Sequence, residues 1–437
     1  MLTHRHRTIL GNIPADWDAK PLKSLIAEHF AGDWGDDEGE QAVSVLRSTN
    51  FTNDGQLDFS DIARRYFPKI QADQFGLLKG DLLVERSGGG PEQPVGRIGF
   101  IESDMPGTTV SNFVQVLRPD AEKVDANFLG WALYELQRTG VVERVQQQST
   151  QMRNLKWRDY QRLTLPWPKI EEQRRISAAL GLVDSACQLF RLQLEKAKDL
   201  KRSLAAGLLT GQIDTKGRSK VATKAGSLPQ GWVVLPLKGL AVIGSGVTLN
   251  QDRIAKENAC RYLTVAHVQR GSISVDDPRY LELSEEERKS RLLTAGDILV
   301  VEGHANSMEI GRAAIFEETG IETTFQNHLF RVRADQDLIQ PKFLLHVLNS
   351  ERVQRYWNAV CNTSSGLNTI NRRNLRNVLI PHPDIPEQQA IVESLSAAEQ
   401  NVERMAARVR AVEDLKRTLL QSLLTGAVRV PEGAIHA

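Results

Sequence analysis

The chain has 437 residues, 41% of them hydrophobic and 25% charged, with 55 Lys and Arg against 54 Asp and Glu. That balance excludes long disorder and collagen-like repeats, and no apolar run approaches the length needed to cross a bilayer. Cys187, Cys260 and Cys361 lie far apart, which excludes a Cys-based zinc site, argues against a disulfide framework and fits a reducing cytosol.

The start, MLTHRHRTIL, is followed by no apolar stretch and is read as carrying no secretory signal. Val43–Leu46 and Leu82–Val84 have strand character. Gly80-Asp81 and Gly296-Asp297 precede such runs as turn signals, and SGGGPEQPVG at 87–96 is a loop by composition. Apolar residues at helical spacing (Phe128, Leu129, Ala132, Leu133, Leu136) predict a helix over 125–147, and a second such helix is predicted over 340–355.

Residues 171–210 give the clearest pattern. Ile176, Val183, Phe190, Ala197 and Leu204 recur every seventh residue, with Leu180, Cys187, Leu194 and then Lys201 in the second seam position. Near the other end, Ile391, Ala398, Met405, Val412 and Leu419 hold the first position, and Leu395, Val402, Val409 and Lys416 the second. Four heptads predict coiled-coil helices, each roughly 60 Å long at 1.5 Å per residue. Pro386 suits a first turn, and Gly211 and Gly426 suit helix ends. Residues 214–227, DTKGRSKVATKAGS, read as a polar linker.

The chain also repeats itself. At a shift of 215 residues, as from Trp17 to Trp232, Pro21-Leu-Lys23 returns as Pro236-Leu-Lys238 and Gly96-Arg97 as Gly311-Arg312. Glu172-Gln173 returns as Glu387-Gln388, and Leu208-Leu-Thr-Gly211 as Leu423-Leu-Thr-Gly426. The stretches 26–79 and 242–295 share little. One module plus one helix is therefore written twice, as in a homodimer fused end to end. The expected fold is α+β: two similar mixed α/β domains in a pseudo-two-fold arrangement, joined by two long helices in an antiparallel coiled coil. A shared frame with divergent interiors suits one scaffold reading two targets; the alternative is neutral drift in loops.

Catalytic motifs are absent: no P-loop, no H-E-x-x-H, no G-x-S-x-G, and no repeated carboxylate cluster. The acidic stretch 33–40 reads as a solvated loop, and only His4 and His6 have close metal-ligand spacing. Basic and amide side chains do gather. The first module has Arg47, Asn50, Arg86, Gln146–Gln148, Gln151, Arg153, Asn154, Lys156 and Arg158. The second has His267, Gln269, Arg270, His304, Asn306, Asn368, Asn371, Arg372 and Arg373. Arg, Asn and Gln read base edges, and Arg and Lys neutralise phosphates. Arg97 and Arg312, identical in the two copies, read as frame residues or phosphate contacts.

In this arrangement the chain resembles the specificity subunits of type I restriction–modification systems. The resemblance rests on Gly296-Asp-Ile-Leu-Val300 leading to Gly311-Arg312, on Gln326-Asn327-His328, and on GLNTINRRNLRNVLIPHPDIPEQQAIVESL from Gly366 to Leu395. A looser copy, LKWRDYQRLTLPWPKIEEQRRISAAL, runs from Leu155 to Leu180. Together these span about 13–430, and only the glycine loop at 87–96 departs from its counterpart. The resemblance implies a first target recognition domain at 1–168, a spacer helix at 169–213, a linker at 214–227, a second recognition domain at 228–383, and a second spacer helix with the C-terminal end at 384–430. Each recognition domain would read one half of a split double-stranded DNA site, and the coiled coil would set the gap. The resemblance further implies a non-catalytic, cytoplasmic chain without a cofactor or metal of its own. Two methyltransferase subunits would bring S-adenosylmethionine, and two motor–nuclease subunits ATP and Mg²⁺. The competing readings are a scaffolding rod with two protein-binding modules and an enzyme with an unrecognised site.

Overall fold

The computed structural model describes the chain apart from residues 1–5, 90–94, 150–151, 215, 251–252, 256–258, 319, 365–366 and 434–437. It divides into two units: residues 1–191 with 407–437, and residues 192–406. Two helices of 40 residues each, α1 (Ile170–Leu209) and α2 (Ile385–Leu424), give one part to each unit. Gly211 and Gly426 follow them with φ of 64° and 66°, the left-handed ends that glycine supplies.

In the first unit an antiparallel four-stranded sheet runs Ile98–Phe100, Leu82–Glu85, Val114–Pro119, Ile26–Ala31. A second sheet places Gln41–Leu46 between Thr108–Val110, parallel to it, and Ala63–Phe67. A third joins Gln146–Ser149, Met152–Leu155 and Ser87–Gly89. The second unit repeats all three. Its four-stranded sheet runs Ala241–Ser245, Leu329–Ala334, Ile298–Val301, Ala313–Ile315. Ala259–Leu263 lies between Thr323–Phe325 and Arg279–Glu282, and Leu367–Thr369 between Gly303–His304 and Asn362–Ser364.

The central strands explain the uninterrupted apolar runs. Strand side chains alternate between faces, and here both faces are covered. Leu82 and Val84 enter the core that holds Trp17, Ile176 and Leu420, while Leu83 packs with Leu46 and Val116 on the other side. In the second unit Ile298 and Val300 join Trp232, Leu208 and Ile391, whereas Leu299 and Val301 join Phe325.

The helices run antiparallel within each unit. In the first, Lys416 Nζ meets Asp184 Oδ1 at 2.5 Å and Arg191 Nε meets Glu413 Oε1 at 2.9 Å, so one residue number falls as the other rises. In the second, Lys201 pairs with Glu399 at 3.0 Å. These are the same seam positions in the two copies, 215 residues apart. Seam residues Ile176, Ile391, Leu395 and Val409 are buried, and Val183, Phe190, Leu194, Leu204, Met405 and Leu419 are half-buried.

The repeated Trp and Glu-Gln residues lock each helix start. Trp17 donates to Glu172 at 3.1 Å and Trp232 to Glu387 at 3.1 Å. Gln173 accepts from the Asp125 amide at 2.9 Å, and Gln388 from the Gln340 amide at 2.9 Å. An arginine from beyond the other helix closes each clamp. Arg429 reaches Glu172 at 2.7 Å and Asp16 at 3.0 Å, and Arg218 reaches Glu387 at 3.0 Å. Burial raises the Glu387 carboxyl, but hydrogen bonds from Arg218, Trp232 and Lys216 outweigh it and hold the group below its ordinary value.

Three expectations change. The helix predicted over 125–147 is Ala126–Arg138, stopped by Gly140 at φ 72°; a 3-10 stretch (Val141–Val145) and a strand follow. The helix predicted over 340–355 is two, Pro341–Leu348 and Glu351–Val360. Asn349 turns its amide onto the Ala313 backbone, and Ser350 caps the second helix. The linker at 214–227 is structured. Lys220–Thr223 pairs with Gly226–Pro229, and Leu228 is buried in the second unit's core.

Candidate nucleic-acid interface

In the first unit, the strand Gln41–Leu46 leads into a 3-10 turn at Ser48–Asn50. Asn50 is buried there. Its Oδ1 accepts from the Arg47 amide at 2.9 Å, and its Nδ2 donates to the Asp58 and Asp61 carbonyls at 2.8 and 3.0 Å. In the second unit His267 does the same work after Thr264. Its Nδ1 accepts from the Thr264 amide at 3.0 Å and its Nε2 lies 3.1 Å from the Asp277 carbonyl, which assigns the proton to Nε2. Both side chains are thus committed to holding a turn.

Arg97 and Arg312 support these turns from inside the units. Arg97 donates to both Glu85 oxygens (2.9 and 2.7 Å), to the Ser48 carbonyl at 2.9 Å and to the Phe51 carbonyl at 2.5 Å. Arg312 donates to the carbonyls of Val265 at 3.0 Å and Val268 at 2.7 Å, the matching residues of its turn. The preceding glycines are required: a Cβ on Gly311 (φ +68°) would meet Trp357 Nε1 at 2.2 Å, and one on Gly96 (φ +99°) would meet Val142 at 2.8 Å. Arg97 directs four donor bonds and Arg312 three into the protein, and both side chains are buried.

The remaining first-unit residues gather around the turn and the third sheet. Arg47 pairs with Asp61 at 2.7 Å, while its buried Nε finds no partner among the described residues. Ser48 Oγ bonds the Ser87 carbonyl at 3.3 Å, joining turn to sheet. Arg86 lies 3.4 Å from Gln115, and its carbonyl accepts from the Leu155 amide at 2.8 Å. Arg153 faces Gly89 across the strands and is half-buried; Lys156 and Arg158 are exposed just beyond.

The second unit places His304 and Asn368 opposite each other in its third sheet, where Asn368 Nδ2 donates to the Ala305 carbonyl at 2.9 Å. Asn306 is exposed and caps the short turn at Ser307–Glu309. Arg372 and Arg373 are exposed, and Arg372 reaches the Ile243 carbonyl. Arg270 stands apart from this sheet. It donates to the Met308 carbonyl at 2.6 Å and to Gln354 at 3.3 Å, and burial lowers its affinity for its proton. It lines a cavity of about 640 Å³ with Arg352, Arg355, Lys342 and His346.

His4, Gln151, Gly366 and residues 90–94 lie outside the described residues. Among the described residues no group of three His, Cys, Asp or Glu side chains is placed to hold a metal, and no helix is long and apolar enough to cross a membrane. Asp37 in the acidic stretch pairs with Arg65, and Glu40 accepts from the Lys69 amide at 2.7 Å.

Residue-by-residue sequence reading missed Trp34 and Phe113, which line a pocket of about 450 Å³ with Arg47, Ser48, Thr49, Gly88, Ser111 and Asn112. The available signal was Phe113 beside the repeated Asn112, where the second copy has His328.

Residues 229–413 match the model of the type I restriction modification DNA specificity domain. Nearly the whole chain aligns with curated relatives. It is 24% identical to the type I restriction enzyme MjaVIII specificity subunit of Methanocaldococcus jannaschii over 96% of this chain and 94% of that one. It is 20% identical to the StySPI specificity subunit of Salmonella potsdam over 96% and 90%. Over nearly its whole length the chain is thus similar to type I restriction–modification specificity subunits. Two solved structures share the fold. One comes from work on assembly and conformational transition of the type I restriction–modification system (TM-score 0.61, 18% identity, 95% of this chain and 99% of that one). The other is the specificity subunit from M. genitalium (TM-score 0.53, 14% identity, 96% and 99%). Those relatives are specificity subunits, and the domain matched is a DNA specificity domain.

Proposed function

We propose that each unit reads one half of a bipartite DNA target, and that the reading surface is the 3-10 turn together with the third sheet. One observation carries this: the two units build that turn on the same arginine frame yet clothe it with different side chains. A common frame with divergent fittings is what two half-sites of different sequence require. Arg47, Arg86, Arg153, Lys156, His304, Asn306, Arg372 and Arg373 stay candidates for DNA contact, with Lys156, Arg372 and Arg373 suited to phosphates by their exposure. Arg270 is the outlying candidate. Asn50, His267, Arg97 and Arg312 would act by holding the turns.

The helices serve as spacer and partner platform in this reading. Leu182 and Leu189, one heptad apart on α1, remain 64% and 52% exposed, an apolar face suited to a partner subunit. The assembly would hold two methyltransferase subunits with S-adenosylmethionine and two motor–nuclease subunits with ATP and Mg²⁺, in the cytoplasm. This chain would bind none of those cofactors.

The test is co-expression with the cognate methyltransferase subunit, followed by mapping of adenine methylation in host DNA. A split motif, two short defined halves around a fixed gap, is the expected result. A soluble complex that leaves no such motif would sink the reading.

A further inference from the structure

We infer that the Trp34–Phe113 pocket of the first unit takes one unstacked base of its half-site, with Trp34 and Phe113 against the base face and Arg47 and Asn112 at its edge. The inference rests on the DNA-recognition reading above and names a site within it.

The walls argue for a base. Trp34 is half-buried with one face covered by Arg65, whose guanidinium lies 4.8 Å from the ring, and Phe113 is 36% exposed. Ser48, Thr49, Ser111 and Asn112 add polar groups around them. Aromatic walls with a few polar groups recognise a flat heterocycle by stacking on its face and hydrogen-bonding its edge. Base edges in a stacked duplex are read instead by side chains that protrude into a groove. A concave site of about 450 Å³ therefore needs something that protrudes from the DNA.

The polar groups argue for a missing ligand. Arg47 Nε is buried without a partner among the described residues, although an Arg47 terminal nitrogen is held by Asp61. An unpaired buried donor is costly and points to an acceptor supplied on binding. Asn112 is exposed beside it and can supply both a donor and an acceptor. The pocket also adjoins Gly88 in the third sheet, close to the basic residues Arg86 and Arg153.

Comparison of the copies argues for selectivity. The Asp33 and Val247 amides make the same bond, to the Val110 and Phe325 carbonyls, which sets Trp34 opposite Thr248. The Arg86 and Glu302 amides bond the Phe113 and His328 carbonyls, which sets Phe113 opposite His328. The turn residues Arg47, Ser48 and Thr49 correspond to Thr264, Val265 and Ala266, while Asn112 and Asn327 are the same. The frame is kept and nearly every wall changes.

The test uses the full chain with its methyltransferase subunit. Trp34→Ala and Phe113→Ala remove the walls. Arg47→Thr and Phe113→His install what the other copy already carries on the same frame, and they keep the test alive if Trp34→Ala fails to fold. Methylation mapping should show discrimination at one position of one half-site falling about ten- to hundredfold, with the other half unchanged. For the unsubstituted complex, a mismatch opposite that position should tighten binding several-fold in fluorescence anisotropy, because an unpaired base leaves the stack more easily. Phe113→Ala should abolish that gain. An unchanged motif in all variants, or a mismatch that weakens binding, overturns the pocket while the split motif still upholds DNA recognition. An unsubstituted complex without a split motif overturns both.

Discussion

Replacing Lys416 with methionine removes the cation from the buried seam pair of the first unit. Lys416 and Asp184 side chains are only 9% and 10% exposed, and the ammonium also sits 5.1 Å from the Trp131 ring and 4.9 Å from the Tyr134 ring. Stranding one charge of a buried pair costs about 3–5 kcal/mol. Asp184 would keep amide donors from Gln56 and Gln188, each at 2.9 Å, which places the loss near the lower end, about 3 kcal/mol. For a unit of about 150–250 residues that lowers the melting temperature by roughly 6–12 °C. The internal control is Lys201→Met at the same seam position of the second unit. There the pair is 41% and 38% exposed, so the loss should stay within about 1 kcal/mol. Urea unfolding followed by tryptophan fluorescence measures both. Combining Lys416→Met with Asp184→Leu should bring stability back to within about 1 kcal/mol of the parent, since no charge is left stranded. Equal losses for the two lysines, or a double variant no better than Lys416→Met, would refute the reasoning.

Other outcomes follow from the same geometry. Arg97→Met strands Glu85 and orphans two carbonyls, so it should destabilise the first unit by about 3–5 kcal/mol, seen in thermal unfolding without DNA. Lys156→Ala should leave the fold intact, weaken binding evenly across sequences, and reduce the slope of log affinity against log salt by about 1. Burial, opposed by Glu399 and aided by Lys201 and Lys342, lowers the His346 pKa below its ordinary 6.5. The unfolded chain then binds the proton better, so the stability this group contributes is full above about pH 6.5 and is lost as pH falls through the folded pKa. His346→Gln should flatten that acid limb in stability-against-pH curves.

The long helices, the central strands and the doubled architecture are legible because each rests on local periodicity or repetition. The heptads of Ile176 and Ile391 need no tertiary knowledge to be seen. Individual polar residues are another matter. Arg97 looks like an exposed cation until Phe51 and Ser48, 46 and 49 residues away, present their carbonyls to it. Asn50 and His267 share no chemistry as residue types, yet both complete the same turn, and only the backbone reveals it. Helix ends escape the apolar spacing where one residue decides them: Gly140 by its positive φ, and Asn349 by turning to the Ala313 backbone. Trp34 lies in the stretch where the copies diverge, so repetition gave it no emphasis.

The clamp at the start of α1 bears on the order in which the protein is born. The second unit is a single continuous stretch, 192–406, and has everything it needs once that stretch has left the ribosome. The first cannot close then. Its core requires Leu420, Leu423 and Leu424, and its outer latch joins Arg429 to Asp16, 413 residues apart in the chain. Chains fold domain by domain as they are synthesised, at about 5–20 residues per second. The unit made first is therefore the unit finished last, and its helix seam waits unpaired for tens of seconds. A stall or truncation late in translation would leave a folded second unit beside an open first one.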